Sequence, residues 1–145
     1  MRVDFYQLGE ATVESVITAL GVKLVAERQR LLVTASDEAM LARLDRMLWD
    51  QGATSFVPHG LAGSADDAAQ PILLSQGTDA PNLARNLLIA DGEWRDAALS
   101  YDRVFYLFDE TSLGAARLAW KLLAGRDGVE RRYWAFVDGR WVEKA

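Results

Sequence analysis

The chain has 145 residues, of which 50% are hydrophobic and 26% are charged; it contains no cysteine and carries a formal net charge of −5 at pH 7. These totals predict one domain spanning residues 1–145, exclude disulfides and thiolate metal sites, and fit the reducing cytoplasm. The negative balance disfavours direct binding of nucleic acid, and the lack of a long apolar run argues against a signal peptide or a membrane span.

The first half of the chain alternates strand-like runs with helical periodicity. The predicted elements are a strand over residues 3–8, a helix over residues 12–28, a strand over residues 30–34, a helix over residues 36–49 and a loop over residues 50–69. Gly21 lies inside the first helix and weakens it by about 1 kcal/mol relative to alanine. Ser36 is the predicted N-cap of the second helix, since its hydroxyl can accept a bond from a free backbone N–H.

The second half continues the alternation and ends in a hairpin signal. The predicted elements are strands over residues 71–75, 87–90 and 103–108, a helix from Thr111 or Ser112 to Ala124, and strands over residues 132–136 and 140–142. Asp138–Gly139 between the last two runs is typical of a tight β-turn. The order predicts an α/β fold: a three-layer, mostly parallel Rossmann-like sheet with helices on both faces and a C-terminal antiparallel hairpin.

No catalytic motif is present, so we expect a protein that is not an enzyme and has no cofactor. The first predicted strand is followed by one glycine, Gly9, where a dinucleotide-binding turn needs three. His59 is the only histidine, and no G-x-S-x-G sequence surrounds a serine. We interpret Asp66–Asp67 as solvated loop charges. A nucleotide-binding α/β enzyme and a direct nucleic-acid binder remain the alternatives.

The last helix carries a tryptophan between two cations. At about 100° per residue, Ala115, Leu118, Ala119 and Leu122 form the predicted buried face. Trp120 lies about 160° from the centre of that face, beside Arg117 and Lys121. Such a group is typical of an anchor for a ligand with an apolar body and an anionic end. The alternatives are a cation–π contact on a surface with no function, or a Trp120 covered by the terminal hairpin.

The second helix repeats this arrangement at its end. Its predicted apolar stripe consists of Met40, Leu44, Met47 and Leu48. Trp49 lies about 140° from this stripe, and Phe56 and His59 follow it closely in the chain. The three side chains could share one surface. Alternatively, Trp49 folds over the helix end, Phe56 plugs the core beneath the loop and His59 is a hydrogen-bonded structural residue.

These segments together resemble a known family. Asp4-Phe5-Tyr6, Leu44-Asp45 with Leu48-Trp49, Ser55-Phe56-Val57-Pro58-His59-Gly60 and Arg117-Leu118-Ala119-Trp120-Lys121 occur in the order and at the separations of the chi subunit of the bacterial DNA polymerase III holoenzyme. The resemblance covers essentially the whole chain, and its most specific parts are the S-F-V-P-H run and the R-x-x-W-K helix.

The resemblance implies a non-catalytic adaptor in DNA replication that links the clamp loader to single-stranded DNA-binding protein. Arg117 and Lys121 would bind the carboxylates of that protein's acidic C-terminal tail, and Trp120 would wall the pocket for its terminal phenylalanine. Leu113 stands where the family often has another basic residue, and Arg126, Arg131 and Arg132 are candidates to replace that charge.

The family resemblance also implies a second surface. Phe56, with Trp49 and His59 nearby, would bind the psi subunit of the clamp loader or, alternatively, an XPD-like helicase. From the composition, we further expect a cytoplasmic protein that contacts neither membrane nor nucleic acid directly, and we expect it to work as a monomer within a heteromeric complex.

Overall fold

A computed structural model describes residues 1–50 and 57–145. In these residues the chain forms three α-helices and eight β-strands, and no helix among them is long and apolar enough to cross a membrane. The elements are β1 (Arg2–Gln7), α1 (Val13–Ala26), β2 (Leu31–Thr34), α2 (Glu38–Trp49), β3 (His59–Leu61), β4 (Ile72–Ser75), β5 (Asn86–Ile89), β6 (Arg103–Phe108), α3 (Leu113–Leu123), β7 (Glu130–Val137) and β8 (Arg140–Glu143).

All the described strands join one sheet in the order β3-β4-β2-β5-β6-β1-β7-β8. Every neighbouring pair is parallel except β7 and β8, which form the predicted antiparallel hairpin. The predicted fold class is therefore confirmed, with one refinement: β7 is itself a parallel partner of β1. The loop predicted over residues 50–69 was wrong at β3, because a strand of three residues is too short to show alternation.

The sheet is covered on both faces. Leu31 and Val33 of β2 pack into a cluster with α1 and α2, whereas Leu32 between them packs into a cluster with α3. Successive side chains of a strand point to opposite faces, so a strand buried on both sides has an unbroken apolar sequence. This arrangement places α3 over β1, β6 and β7 and separates it from α1 and α2.

The start and the apolar stripe of α2 differ from the prediction. The N-cap is Asp37, whose carboxylate accepts the Ala39 N–H at 2.9 Å, while the hydroxyl of the predicted cap, Ser36, donates to Glu93 at 2.9 Å. The buried residues of the helix are Leu41, Leu44 and Leu48; the predicted Met40 is only half-buried and Met47 is exposed. The sequence of α2 allows two adjacent apolar stripes, and in the structure the stripe that contains the three leucines packs against the protein core.

Gly21 of α1 packs closely against Ile72 of β4 and against Val57, and we expect Gly21→Val to destabilise the protein. A Cβ at this position would lie 2.6 Å from Ile72 Cδ1 and 2.9 Å from Val57 Cγ1. Overpacking of this kind costs about 1–3 kcal/mol, which urea unfolding would measure. Gly114→Val is the matched control, because a Cβ at Gly114 meets no atom within 4 Å among the described residues. Equal effects of the two substitutions would contradict this packing account.

Candidate functional site

The buried face of α3 is rotated from the predicted one. Ala116, Ala119 and Leu123 are buried, whereas Leu118 is 71% exposed and Leu122 is 52% exposed. The prediction that Ala115, Leu118 and Leu122 form the buried face was therefore wrong by one position, or about 100° of rotation. The helix is apolar on nearly every side apart from Arg117 and Lys121. Periodicity alone could not choose between its two possible stripes.

The rotation brings Trp120 against the sheet, so the predicted outward orientation of its indole was also wrong. The Trp120 ring is half-buried and meets Phe5 edge-on, with centroids 5.1 Å apart and planes at 81°. Tyr133 of β7 lies at 6.3 Å and 85° on another side. The terminal hairpin therefore covers part of Trp120, as the alternative interpretation has it, and leaves another part of the indole accessible.

Arg131 of β7 fixes the same indole from a third direction. Its guanidinium carbon lies 4.0 Å from the centroid of the Trp120 ring, and its Nη1 donates a 2.7 Å hydrogen bond to the Trp120 carbonyl. A cation–π contact of this kind contributes about 0.5–2 kcal/mol. The ring is therefore held in one orientation, which reduces the entropy lost when a ligand packs against it.

One side of Trp120 faces a cavity of about 500 Å³ between α3 and the sheet. Its apolar wall is formed by Phe5, Phe108, Leu113, Ala116 and Trp120. Its polar lining comes from Gln7, Arg117, Lys121 and Tyr133. The structure thus brings the four residues of the first predicted site, Leu113, Arg117, Trp120 and Lys121, to a single cavity. Half-enclosed apolar spaces with a few charged groups are typical of ligand sites.

The charges at the rim of this cavity have no acidic counterpart in the described parts of the chain. Arg117 and Lys121 are exposed and stand four residues apart on α3. Neither forms an ion pair with any carboxylate in residues 1–50 or 57–145. Two like charges at this spacing disfavour the helix by about 0.2–0.5 kcal/mol. An anion bound between the two cations would reverse that repulsion.

Two polar side chains of the cavity lining, Gln7 and Tyr133, satisfy each other. The Tyr133 hydroxyl donates to the Gln7 side-chain oxygen, which keeps both groups engaged within the protein. The rest of the inner wall is aromatic or aliphatic. A ligand group entering this space would therefore gain most by being apolar, since a buried hydroxyl without a partner costs about 1–3 kcal/mol.

Sequence reasoning missed the residues that come from the strands. The cavity includes Phe5, Phe108 and Tyr133, and more than 100 residues separate the first of these from the last. They become neighbours only because β1 pairs with β6 and with β7, where Phe5 lies opposite Tyr133. Arg131, named as one possible replacement cation, turns out to hold Trp120. The sequence did contain one indication of this: side chains alternate between the two faces of a strand, so Arg131 and Tyr133, two residues apart in β7, lie on the same face.

The residues of the second predicted site lie at the other end of the sheet. Trp49 is 58% exposed at the end of α2, and its ring centroid lies 5.1 Å from that of His59. The His59 side chain is buried; its Nδ1 lies 2.8 Å from the Val57 carbonyl oxygen and its Nε2 lies 3.1 Å from Asp45 Oδ1. These contacts match the structural alternative for His59. Phe56 lies outside the described residues.

The carboxyl ends of the parallel strands, where doubly wound folds usually bind nucleotides, are acidic. Glu10, Asp109, Glu110 and Asp138 line a cleft there. Hydrogen bonds led by the Thr111 hydroxyl, at 2.6 Å, hold the pKa of Asp109 below its usual range, so this carboxylate stays charged. A phosphate would be repelled at this edge, and the geometry therefore disfavours the nucleotide-binding alternative.

The described titratable groups include one tyrosine with a strongly raised pKa and no metal-binding cluster. Burial raises the pKa of Tyr106 to about 12, and its hydroxyl donates to the Gly92 carbonyl, so it stays a neutral hydrogen-bond donor. Within residues 1–50 and 57–145, no group of three or more histidine and acidic side chains could hold a metal ion. The cavity between α3 and the sheet is lined by cations and aromatic rings, which suit ligand binding better than proton transfer.

Comparison with known proteins identifies the family. Residues 1–130 match the family model of the DNA polymerase III chi subunit, HolC. The chain is 34% identical over 96 residues to the DNA polymerase III subunit chi of Escherichia coli, a match covering 61% of this chain and 65% of that protein. The corresponding subunit of Pseudomonas aeruginosa is 34% identical over 91 residues, covering 61% and 62%. That of Haemophilus influenzae is 32% identical over 75 residues, covering 50% and 52%.

The matched part of the chain thus spans between about half and two thirds of the length of these curated relatives. The family model, in contrast, runs from the first residue to the start of β7 and includes β1, β6 and α3, which supply most of the cavity wall. The chain belongs to the DNA polymerase III chi subunit family.

Proposed function

We propose that this chain is a non-catalytic adaptor of the bacterial replicase and that its α3 cavity binds the acidic C-terminal tail of single-stranded DNA-binding protein. The observation that carries the proposal is the pair of exposed cations, Arg117 and Lys121, at the rim of an apolar cavity walled by Trp120. An acidic peptide with one apolar side chain at its end complements both features. The family resemblance supplies the identity of that peptide.

Binding would divide between charge and burial. Arg117 can hold a carboxylate with two parallel hydrogen bonds, and Lys121 adds a positive charge one helical turn away. The terminal phenylalanine ring of the tail would enter the cavity and pack on Trp120 and Phe5. One buried ring and a few exposed charge contacts support an affinity in the micromolar range, or about −8 kcal/mol, which falls as salt is added.

The second proposed surface is centred on Phe56, with the exposed Trp49 and the buried His59 close to it in the sequence, and it would bind the psi subunit or an XPD-like helicase. Its support is the exposed indole of Trp49 resting beside the buried His59 ring. Exposed tryptophans on an ordered support are frequent anchors of protein interfaces. An adaptor with two separate surfaces can hold the clamp loader or the helicase and single-stranded DNA-binding protein at once.

A pull-down of single-stranded DNA-binding protein tests the first surface. The intact partner should be retained by this chain, whereas the partner lacking its last few residues should not. Retention that is equal with and without the tail would contradict the proposed function of the α3 cavity. The same pair of partners at low and high salt should show binding that weakens as salt rises, because exposed charges provide the rim contacts.

A further inference from the structure

A second cleft, of about 820 Å³, opens at the amino ends of β2, β5 and β6, on the opposite edge of the sheet from the acidic cleft. Three arginines line it, Arg28, Arg30 and Arg85, against a single carboxylate, that of Asp102. Leu83 stands in the same lining. The protein carries a net negative charge, so a locally basic cleft with an apolar side chain is a distinct feature of its surface.

Leu83 is the most exposed large apolar side chain in the described residues, at 83%. Its backbone has φ of 59°, in the left-handed region that costs a residue with a Cβ about 1–2 kcal/mol. The neighbouring Asn82 is buried, and its side-chain nitrogen donates to the carbonyls of Gln70 at 3.0 Å and Leu31 at 3.3 Å. The chain therefore holds Leu83 firmly in a position where the side chain makes little packing contact.

Arg28 has the same unusual backbone, with φ of 59°. It follows the end of α1, where the N–H of Gln29 donates to the Leu24 carbonyl at 2.7 Å and its own N–H donates to the Val25 carbonyl at 3.0 Å. Glycine is the usual residue at such a helix end. An arginine there is strained, and it directs a cation to the cleft without an ion pair to any described carboxylate.

Only one other described residue with a side chain has a positive φ, Asp138 at 51°, and its hairpin turn with Gly139 explains it. Leu83 and Arg28 thus both have a strained left-handed backbone, and both line the cleft. Arg85 is paired with Asp102 at 2.6 Å, but both side chains are mostly exposed, and exposed pairs contribute about 0–1 kcal/mol. An incoming carboxylate can therefore compete for Arg85.

The cleft lies on the same edge of the sheet as the second proposed surface. His59 begins β3, and α2 ends at Trp49 beside it, so both stand at the amino ends of the parallel strands. In the sheet, β4 is the one strand between β3 and β2, and Arg30 directly precedes the first residue of β2. Two strand spacings amount to about 10 Å, which is within the span of an ordinary protein interface.

We propose that this cleft extends the second surface and receives a segment of the same protein partner in which an acidic side chain stands next to an apolar one. The inference rests on the second surface described under Proposed function. The apolar side chain packs on Leu83 and the acidic one binds Arg28 or Arg85. A protein segment fits this pairing better than a nucleic-acid backbone, because phosphates offer nothing for the exposed leucine and meet Asp102.

The test measures the affinity of the purified psi subunit and of the XPD-like helicase from the same organism for the full chain and its variants. Leu83→Asp should weaken binding about tenfold or more, which corresponds to about 1.4 kcal/mol. Aspartate tolerates the left-handed backbone, so the fold should survive, as thermal melting would verify. Leu118→Asp is the matched control; it changes another exposed leucine, on α3, and should leave the affinity within about twofold.

Arg28→Ala tests the acidic half of the proposal, and it should lower both the affinity and its dependence on salt. If Trp49→Ala weakens binding while Leu83→Asp and Arg28→Ala do not, the cleft inference is wrong and the second surface stands. If neither partner binds the parent chain, or Trp49→Ala binds as tightly as the parent, the second surface fails and the inference fails with it. Binding of single-stranded DNA that Arg28→Ala removes, with partner affinity unchanged, would also overturn it.

Discussion

Replacing Arg117 with alanine is expected to weaken binding of a peptide from the acidic tail of single-stranded DNA-binding protein by about tenfold or more. A charge-assisted hydrogen bond to a carboxylate contributes about 1.5–3 kcal/mol, and Arg117 stands at the cavity rim with no other described carboxylate to bind. The exposed side chain makes little contribution to folding, so the melting temperature should stay unchanged. Fluorescence anisotropy with a labelled peptide would give the affinity of each variant.

Two further substitutions isolate the role of Arg117. Arg126→Ala removes the same charge from the same basic region, but Arg126 does not line the cavity, so its effect should stay within about twofold. Arg117→Lys keeps the charge and loses the parallel pair of hydrogen bonds, and an intermediate affinity is expected. If the two alanine variants bound the peptide equally well, the contribution of Arg117 would be general charge and not a specific contact.

Replacing Asp4 with alanine is expected to cost about 3 kcal/mol or more of folding stability, because the change leaves partly buried cations without a partner. The carboxylate of Asp4 is fully buried. It accepts bonds from Arg2 at 2.9 and 3.0 Å, from Arg103 Nε at 2.9 Å and from the Trp134 indole N–H at 2.9 Å. This loss is a large share of the 5–15 kcal/mol that stabilises a typical domain.

Urea unfolding of Asp4→Ala and of Asp102→Ala would check this prediction. Asp102 is paired with Arg85 at 2.6 Å on the surface, and its removal should cost less than about 1 kcal/mol. Similar losses for the two variants would mean that the Asp4 network is no more important than a surface pair. Where Asp4→Ala remains folded it should still bind the tail peptide, since Asp4 and Phe5 point to opposite faces of β1.

The strands and helices were predictable because their signals are local. The ends of β6 and of α1 agree with the sequence prediction to within about two residues, as is usual for long periodic segments. Residues 59–61 were missed because so short an edge strand has no periodicity of its own. The N-cap of α2 is Asp37 and not the predicted Ser36, because the Ser36 hydroxyl donates to Glu93. Glu93 is 57 residues away in the sequence, so no local rule could predict this bond.

The candidate site was predictable in its composition and unpredictable in its geometry. Arg117, Trp120 and Lys121 stood out because cations flank an indole within one helical turn. Their orientation depended on which side of an almost uniformly apolar helix faces the sheet, and the sheet supplies Phe5 and Tyr133 from distant parts of the chain. The indole is therefore one wall of a cavity. A ligand would pack beside it within the cavity; it would not rest on a free outer surface.

The most direct measurement of the central claim follows the indole N–H signals of the five tryptophans by NMR during titration with the tail peptide. The signal of Trp120 should show the largest shift, while those of Trp49 and Trp94, which do not line the cavity, should stay in place. The same peptide with its C-terminal carboxylate converted to an amide should produce a much weaker response. A Trp120 signal that remains fixed at saturating peptide while another indole shifts would contradict the account.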